Sequence, residues 1–244
     1  MVTSVGTTTG TTSLLSQAIS AAKSNAATNA AAASNTTTSS SSSSSLSSLG
    51  GNFNQFLTLL TTQLQHQDPS NPTSTDSFTA ELAQFAGVQQ QVETNTNLTS
   101  LISATQDNQM ASAVSLIGKT TTASTSSLPL QSGSASLSFT APQAGDVAIA
   151  ITDSTGTVVK SETVDASVGT NTWTWDGKNN SGTQLSNGAY TVAVEGNSTD
   201  GTTVALPTTI TGTVTGVSKG TSGVNIDMGS ATINMSDLTG FSST

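Results

Sequence analysis

Few residues of this chain are of the kinds that do chemistry, and their spacing argues against their doing it. His66 is the only histidine and cysteine is absent. A thiolate nucleophile is therefore missing, and neither a histidine metal cluster nor a Ser–His pairing has a second imidazole to call on. Ala113-Val-Ser-Leu-Ile-Gly118-Lys119-Thr120 comes one residue short of a phosphate-cradling loop, since its first position should be glycine. It also follows a polar helical pattern where such a loop needs a buried strand, so it reads as a helix end leading into a strand. Asp176–Gly182 (DGKNNSG) starts like a calcium loop, but Lys178 stands where an oxygen ligand is needed and no glutamate closes it. A hairpin turn is the simpler reading. The 14 acidic residues are scattered without an acid–base couple. Trp173 and Trp175, two apart on a strand, share a face that suits a sandwich core better than a sugar platform. The sequence points to no enzyme, no cofactor and no metal.

Composition narrows the partners. The 244 residues carry a formal net charge of −9, with five lysines and no arginine, and only 8% of them are charged. Nucleic-acid binders displace counterions with clustered cations, so nucleic acid is excluded as a partner, and anionic membrane surfaces are disfavoured for the same reason. No apolar run approaches the roughly 18 residues of a membrane span, so membrane insertion is not expected. The N-terminal MVTSVGTTTG lacks the basic and apolar regions of a secretory signal peptide. Any passage out of the cytoplasm is then expected by another route, and the lack of cysteine suits a chain threaded unfolded through a channel.

Positioning elements follow from periodicity. Residues 1–52 are Ser-, Thr- and Ala-rich, with a serine run Ser39–Ser45, and read as a disordered leader. Within it Leu14, Leu15, Ala18 and Ile19 share a helical face, but without a packing partner that helix is marginal. Residues 53–117 form a helical region. Phe53, Phe56, Leu57, Leu60 and Leu64 make one stripe, which Asp68-Pro69 and Pro72 break with a turn. A polar helix then carries Phe78, Leu82, Phe85 and Val92, where Phe78, Phe85 and Val92 repeat every seventh residue as an oligomer seam does. A hairpin packed back on the first helix fits the same pattern. From Gly118 the period becomes alternating. Asp146–Val164 reads as a hairpin turning at Asp153–Gly156, Trp173 and Trp175 mark a third strand, and Tyr190, Val192 and Val194 a fourth, together an antiparallel sandwich. Three more short strands are expected after Pro207.

Several of these segments, taken in order, resemble one family. Phe56–Pro72, the polar helix after it, Leu116-Ile-Gly-Lys119, and Trp173-Thr-Trp-Asp-Gly177…Gly182…Leu185-Ser-Asn-Gly188-Ala-Tyr190 are similar to the bacterial flagellar hook-capping proteins, also called basal-body rod modification proteins. The resemblance implies a mainly β C-terminal half: a small Tudor-like barrel from 118–134 plus 207–244, with an immunoglobulin- or fibronectin-III-like domain inserted at 135–206 and folding on its own. Trp173, Trp175 and Tyr190 belong to the core of that insert. It further implies a non-enzymatic scaffold, a homo-oligomeric cap at the hook tip that promotes polymerisation of hook protein. Such a chain leaves through the flagellar type III apparatus, with Phe56-Leu-Thr-Leu-Leu60 matching the motif read by the export gate. The long Ser/Ala leader departs from typical members. A secreted adhesive or carbohydrate-binding immunoglobulin-like protein is the alternative, because the Trp-Asp-Gly pattern alone also occurs there. That reading requires a signal peptide or surface anchor, and neither is visible.

Overall fold

The computed structural model describes residues 8–34, 75–220 and 223–242. The expected stripe Phe53, Phe56, Leu57, Leu60 and Leu64 and the turn at Asp68, Pro69 and Pro72 lie outside the described residues. Two compact units divide the chain. One joins residues 1–34 to 108–244, and the other is 35–107.

In the second unit the described element is most of α2 (Thr75–Ala113), the polar helix expected from the sequence. It contains Phe78, Leu82 and Phe85, whose side chains are outside the described residues, and the half-buried Val92. Thr94, Thr96, Thr99, Ser100 and Thr105 each donate a hydroxyl hydrogen bond to the carbonyl four residues back, at 2.8–3.0 Å. Such bonds satisfy the hydroxyls without adding to helix stability. Leu98, Leu101 and Ile102 are 51%, 64% and 58% exposed, so this stretch of helix gains little from burial.

The first unit is β-rich. β1 (Thr120–Ser124) follows a left-handed Gly118 (φ +83°), whose N–H donates to the Val214 carbonyl at 2.9 Å. The expected hairpin is β4 (Gly145–Thr152) and β5 (Val158–Ala166), and the tryptophan strand is β6 (Gly169–Trp175). The fourth expected strand is β7 (Gly188–Asn197). Three strands escaped the sequence reading: β2 (Ser127–Leu130), β3 (Ala135–Ala141) and β8 (Thr203–Ala205). After Pro207 there are five short strands instead of three: β9 (Thr208–Thr213), β10 (Gly216–Gly220), β11 (Gly223–Met228), β12 (Ala231–Asn234) and β13 (Leu238–Ser242).

One sheet runs β13-β1-β9-β3-β6 and a second β2-β7-β4-β5, with β8 also on β7; β10-β11-β12 form a third. Leu137, Phe139, Val147, Ile149, Ile151, Trp175, Val192 and Val194 are buried in one cluster with Ile210, Ile226, Met228 and Ile233. The core is therefore continuous across the expected boundaries. β2, assigned above to the 118–134 segment, pairs with β7 (Leu128↔Tyr190). β3, assigned to the insert, pairs with β9 beyond position 207 (Leu137↔Ile210). Ladders thus cross both expected boundaries, since each strand's backbone is satisfied by the strand it pairs with.

The leader is also corrected over 8–34. Residues Thr8–Ser34 form α1, which packs on the outer face of β4 and β7. Leu14, Ala18 and Ala22 are buried against Ala148, Ala150 and Ala193. The packing partner that an isolated helix lacks is this sheet face, on which alanines stand where a solvated face would carry charge. Each alanine methyl buried there is worth about 0.8 kcal/mol, and Leu15 and Ile19 pack half-buried beside them.

A fragment of residues 135–206 loses β2 from one sheet and β9 from the other. In circular dichroism melts it is expected to show no cooperative transition, while residues 118–244 melt in one. A cooperative melt of 135–206 would show that the shared ladder is dispensable.

Candidate functional site

The Trp-Asp-Gly…Asn-Gly-x-Tyr segment folds into one corner, and its residue types follow from local hydrogen bonding. Trp175 ends β6 with 1% of its surface exposed, and its indole N–H donates to the Lys178 carbonyl at 2.8 Å. Asp176 Oδ1 accepts the Lys178 N–H at 3.0 Å, and Gly177 sits at φ +70°. A Cβ there would lie 2.9 Å from the Gly133 carbonyl oxygen, so the left-handed turn and the close approach both require glycine. Asn187 Oδ1 accepts the Gly133 N–H at 2.9 Å, tying the corner to the turn after β2. Tyr190 packs edge-on to Trp175 with ring centroids 5.0 Å apart at 84°, and its hydroxyl donates to the Ser186 carbonyl at 2.9 Å.

This geometry decides among the readings of those residues. Asn179 Oδ1 accepts the Ser181 and Thr183 N–H groups at 3.0 and 2.9 Å, and Lys178 Nζ lies 3.7 Å from Asp176 Oδ2. The oxygens a cation would use are turned on the chain itself. Trp173 is half-buried at the margin of the core, its indole N–H donating to Glu162 Oε1 at 2.7 Å. With Trp175 buried, the pair has no open double ring face for a sugar. Gly118 and Lys119 spend their N–H groups on the Val214 and Leu116 carbonyls, at 2.9 Å each, so that loop is a strand entry. The structure brings Trp173, Trp175 and Tyr190 into one packed region. It leaves the seam residue Val92 on the other unit.

Sequence reasoning missed Glu195. It lies on β7, only 7% exposed, opposite Ala148 on the face that α1 covers, and no hydrogen bond or ion pair holds it among the described residues. It lines a cleft of about 320 Å³ together with Ala21 and Asn25 of α1 and Ser126, Leu206 and Pro207. Burial pushes its carboxyl above the usual glutamate range. A single charged residue between Val194 and Gly196 in a strand of small residues is the only sequence signal for it.

Replacing Trp175 by alanine should cost about 3–5 kcal/mol, the penalty for emptying a buried aromatic site, and Trp173→Ala clearly less; urea melts of residues 118–244 measure both. Gly177→Ala should destabilise the same fragment, whereas Gly156→Ala, with nothing near its Cβ, carries only the φ +81° strain. Because the folded state raises Glu195's pKa, its protonation stabilises the fold. That stabilisation is fully present below the unfolded-state value and is lost as pH rises through the folded one. Glu195→Gln should therefore raise the melting temperature at pH 7 and remove this part of the pH dependence, and an unchanged pH profile would refute the assignment.

Comparison with known proteins accounts for both units. Residues 9–100 match the family described as flagellar hook capping protein, N-terminal region, and residues 124–200 match the FlgD Ig-like domain. The basal-body rod modification protein FlgD of Salmonella typhimurium is 33% identical over 186 residues, covering 72% of this chain and 80% of that protein. The Escherichia coli protein of the same name gives the same identity and coverage. Crystalline FlgD from Xanthomonas campestris, described in connection with hook capping essential for flagellar assembly, is 26% identical. It covers 55% of this chain and 99% of its own, with a TM-score of 0.47. The order of the two matched regions and the identity along most of the chain agree: this chain belongs to the FlgD family of flagellar hook-capping, or basal-body rod modification, proteins.

Proposed function

We propose that this chain caps the growing hook as a transient, homo-oligomeric scaffold at its tip, promoting polymerisation of hook protein after leaving the cell by the flagellar type III route. A role in flagellar hook assembly comes with the family; the cap, its copies and the route are the reading offered here. The observation that carries it is α2. A long helix exposes Leu98, Leu101 and Ile102 at helical spacing while the β unit closes its own core. Such a face needs a partner to be worth ordering, and a self-associating cap supplies one. In this reading Phe78, Leu82, Phe85 and Val92 extend the seam, and Phe53, Phe56, Leu57, Leu60 and Leu64 form the partner helix, with Phe56 and Leu60 addressing the export gate. Asp68, Pro69 and Pro72 end that helix. No described helix is long and apolar enough to cross a membrane.

A strain deleted for this chain should build rods without hooks, and supplying the chain in trans should restore hooks seen by electron microscopy; hooks of normal length on the deletion strain would sink the reading. The double variant Phe56→Ala, Leu60→Ala should be absent from culture supernatant while residues 118–244 keep their wild-type melting temperature. Replacing Leu98, Leu101 and Ile102 by serine should leave secretion intact and abolish both self-association and complementation. Wild-type complementation by that triple variant would remove the seam.

A further inference from the structure

Glu195 stands on β7 with Ala148 of β4 on one side and Ala205 of β8 on the other. α1 packs on this face of the sheet, and beside its Ala21 and Asn25 lies the cleft of about 320 Å³ that Glu195 lines. Only 7% of Glu195 is exposed, and no hydrogen bond or ion pair holds its carboxylate among the described residues. A buried carboxylate without a partner is costly to keep charged. A cation in the cleft is what would offset that cost.

The lining suits one. The Val192 N–H is spent on the Ser126 carbonyl at 2.9 Å and the Leu206 N–H on the Val194 carbonyl at 2.8 Å, while Pro207 has no N–H to give. Thr208 Oγ1 donates its hydrogen to the Thr125 carbonyl at 2.8 Å, and Asn25 Nδ2 donates to the Val192 carbonyl at 3.4 Å. With these donors engaged, the cleft offers oxygen acceptors, which favour an ammonium and repel an anion. Ala21, Ala193, Ala205 and Leu206 add apolar wall for an alkyl stem. A water takes up about 30 Å³ of liquid, so the cleft has room for a chain of several heavy atoms.

The surrounding charge has the same sign. Asp146 precedes Ala148 by two on β4 and pairs with Asp165 of β5, so alternation puts both carboxylates on the Glu195 face of the sheet. Glu195 is the one charged residue in the lining. Lys23 lies between Ala21 and Asn25 in sequence, but it falls on the other side of α1 and is exposed. A hard divalent cation needs about six or more oxygens, and no three acidic, histidine or cysteine side chains among the described residues gather as such a site requires. An ammonium needs only one carboxylate and a few further acceptors.

We propose that the Glu195 cleft binds a primary alkylammonium group: the carboxylate pairs with the ammonium, neighbouring oxygens accept its remaining N–H bonds, and the alanine and Leu206 walls hold the alkyl stem. A free amine and the lysine side chain of a partner protein carry this same group. α1 keeps its place on the sheet throughout. The inference does not depend on hook capping, since it concerns the purified chain in solution.

Isothermal titration calorimetry of the full-length chain with n-butylamine and with Nα-acetyl-lysine methylamide, at constant ionic strength, tests this. At least one probe should bind saturably at a single site, whereas tetramethylammonium, which has the charge without N–H donors, should not. Glu195→Gln should weaken binding about tenfold or more, as loss of a charge-assisted pair does. Because burial raises the Glu195 pKa, lowering the pH from about 8 to about 5 should weaken wild-type binding, while an amine of pKa about 10 keeps its charge. The double variant Asp146→Asn, Asp165→Asn should keep that pH dependence. Binding of n-butylamine but not of the lysine derivative assigns the cleft to a free amine, and binding of the lysine derivative assigns it to a lysine side chain. Saturable binding of neither probe overturns the proposal. Binding that Glu195→Gln leaves unchanged overturns it equally, since that is the general field of a chain of net charge −9. Should Glu195→Gln fail to fold, wild-type binding of equal strength at both pH values overturns it. Secretion and hook formation are separate readouts, so failure here leaves the hook-cap reading standing or falling on its own tests.

Discussion

The β half of this protein depends on β9 being hydrogen-bonded along both edges. One edge pairs with β1, Ala123 opposite Ile210, and the other with β3, Leu137 opposite Ile210. Ile210, fully buried, stands where the two ladders meet. A strand shared in this way removes the independence of whatever lies on either side. The sandwich cannot release β9 without exposing the edge of β3, and β1 cannot keep its place in the sheet without the same strand. One continuous apolar cluster, from Trp175 to Ile226 and Met228, is the energetic counterpart of that topology. Gly212 in β9 marks how close the two regions come, since a Cβ there would lie 2.7 Å from Met228 Sδ and 3.0 Å from the Pro129 ring.

Much of this was legible where the sequence alternates cleanly. Val147, Ile149 and Ile151 gave β4, the Asp153–Gly156 turn gave its partner, and Trp173 and Trp175 gave β6, because period-two burial leaves a direct trace. In the turn, Asp153 Oδ1 accepts the N–H groups of Thr155 and Thr157, both at 2.9 Å, which explains why a short acid begins it. The strands that escaped have local reasons for doing so. β2 holds Pro129, tolerable only because the strand lies at the edge of its sheet. β3 is written ASLSFTA, with two serines and a threonine between its four apolar side chains, and looks like linker beside the Ser/Thr-rich segments. What a sequence cannot carry is the ladder partner. Ladders that cross the expected boundaries left no trace for that reason, since pairing and not periodicity assigns β2 to β7 and β3 to β9.

The same limit accounts for α1. Its apolar face was visible in Leu14, Leu15, Ala18 and Ile19, yet the face that stabilises it is made of alanines more than a hundred residues away. Alanine carries no hydrophobic signal strong enough to announce a contact, and Ala148, Ala150 and Ala193 read as the neutral side of ordinary strands. Only the missing charges hint that the side is covered. Of the candidate site, the Trp-Asp-Gly corner was legible as a motif and explained only by geometry. Gly177 is demanded by a positive φ and a neighbouring carbonyl, Asn187 by the Gly133 N–H, and Tyr190 by the edge of Trp175 and the Ser186 carbonyl. The motif is what lets a sandwich turn this corner, so its presence in a chain speaks for architecture before it speaks for binding.

The two units divide the physical work. In the β unit nearly every large apolar side chain is covered, and a ladder shared across its centre makes it resist piecemeal unfolding. Along the described part of α2 the reverse holds: threonine and serine hydroxyls bond back to the helix, and leucine and isoleucine face solvent. Within this chain the helix buries Ala113 and packs Met110 on the β core at its C-terminal end, but its stretch around Leu98–Ile102 gains little. Ordering its backbone costs about 1–2 kcal/mol per residue, and exposed leucines return none of it. Covering Leu98, Leu101 and Ile102 with a second surface would change that balance, which is the physical basis of the seam proposed above. For a member of a hook-capping family this is a coherent arrangement. The β unit closes its core on itself, whereas the described part of the helix leaves Leu98, Leu101 and Ile102 exposed.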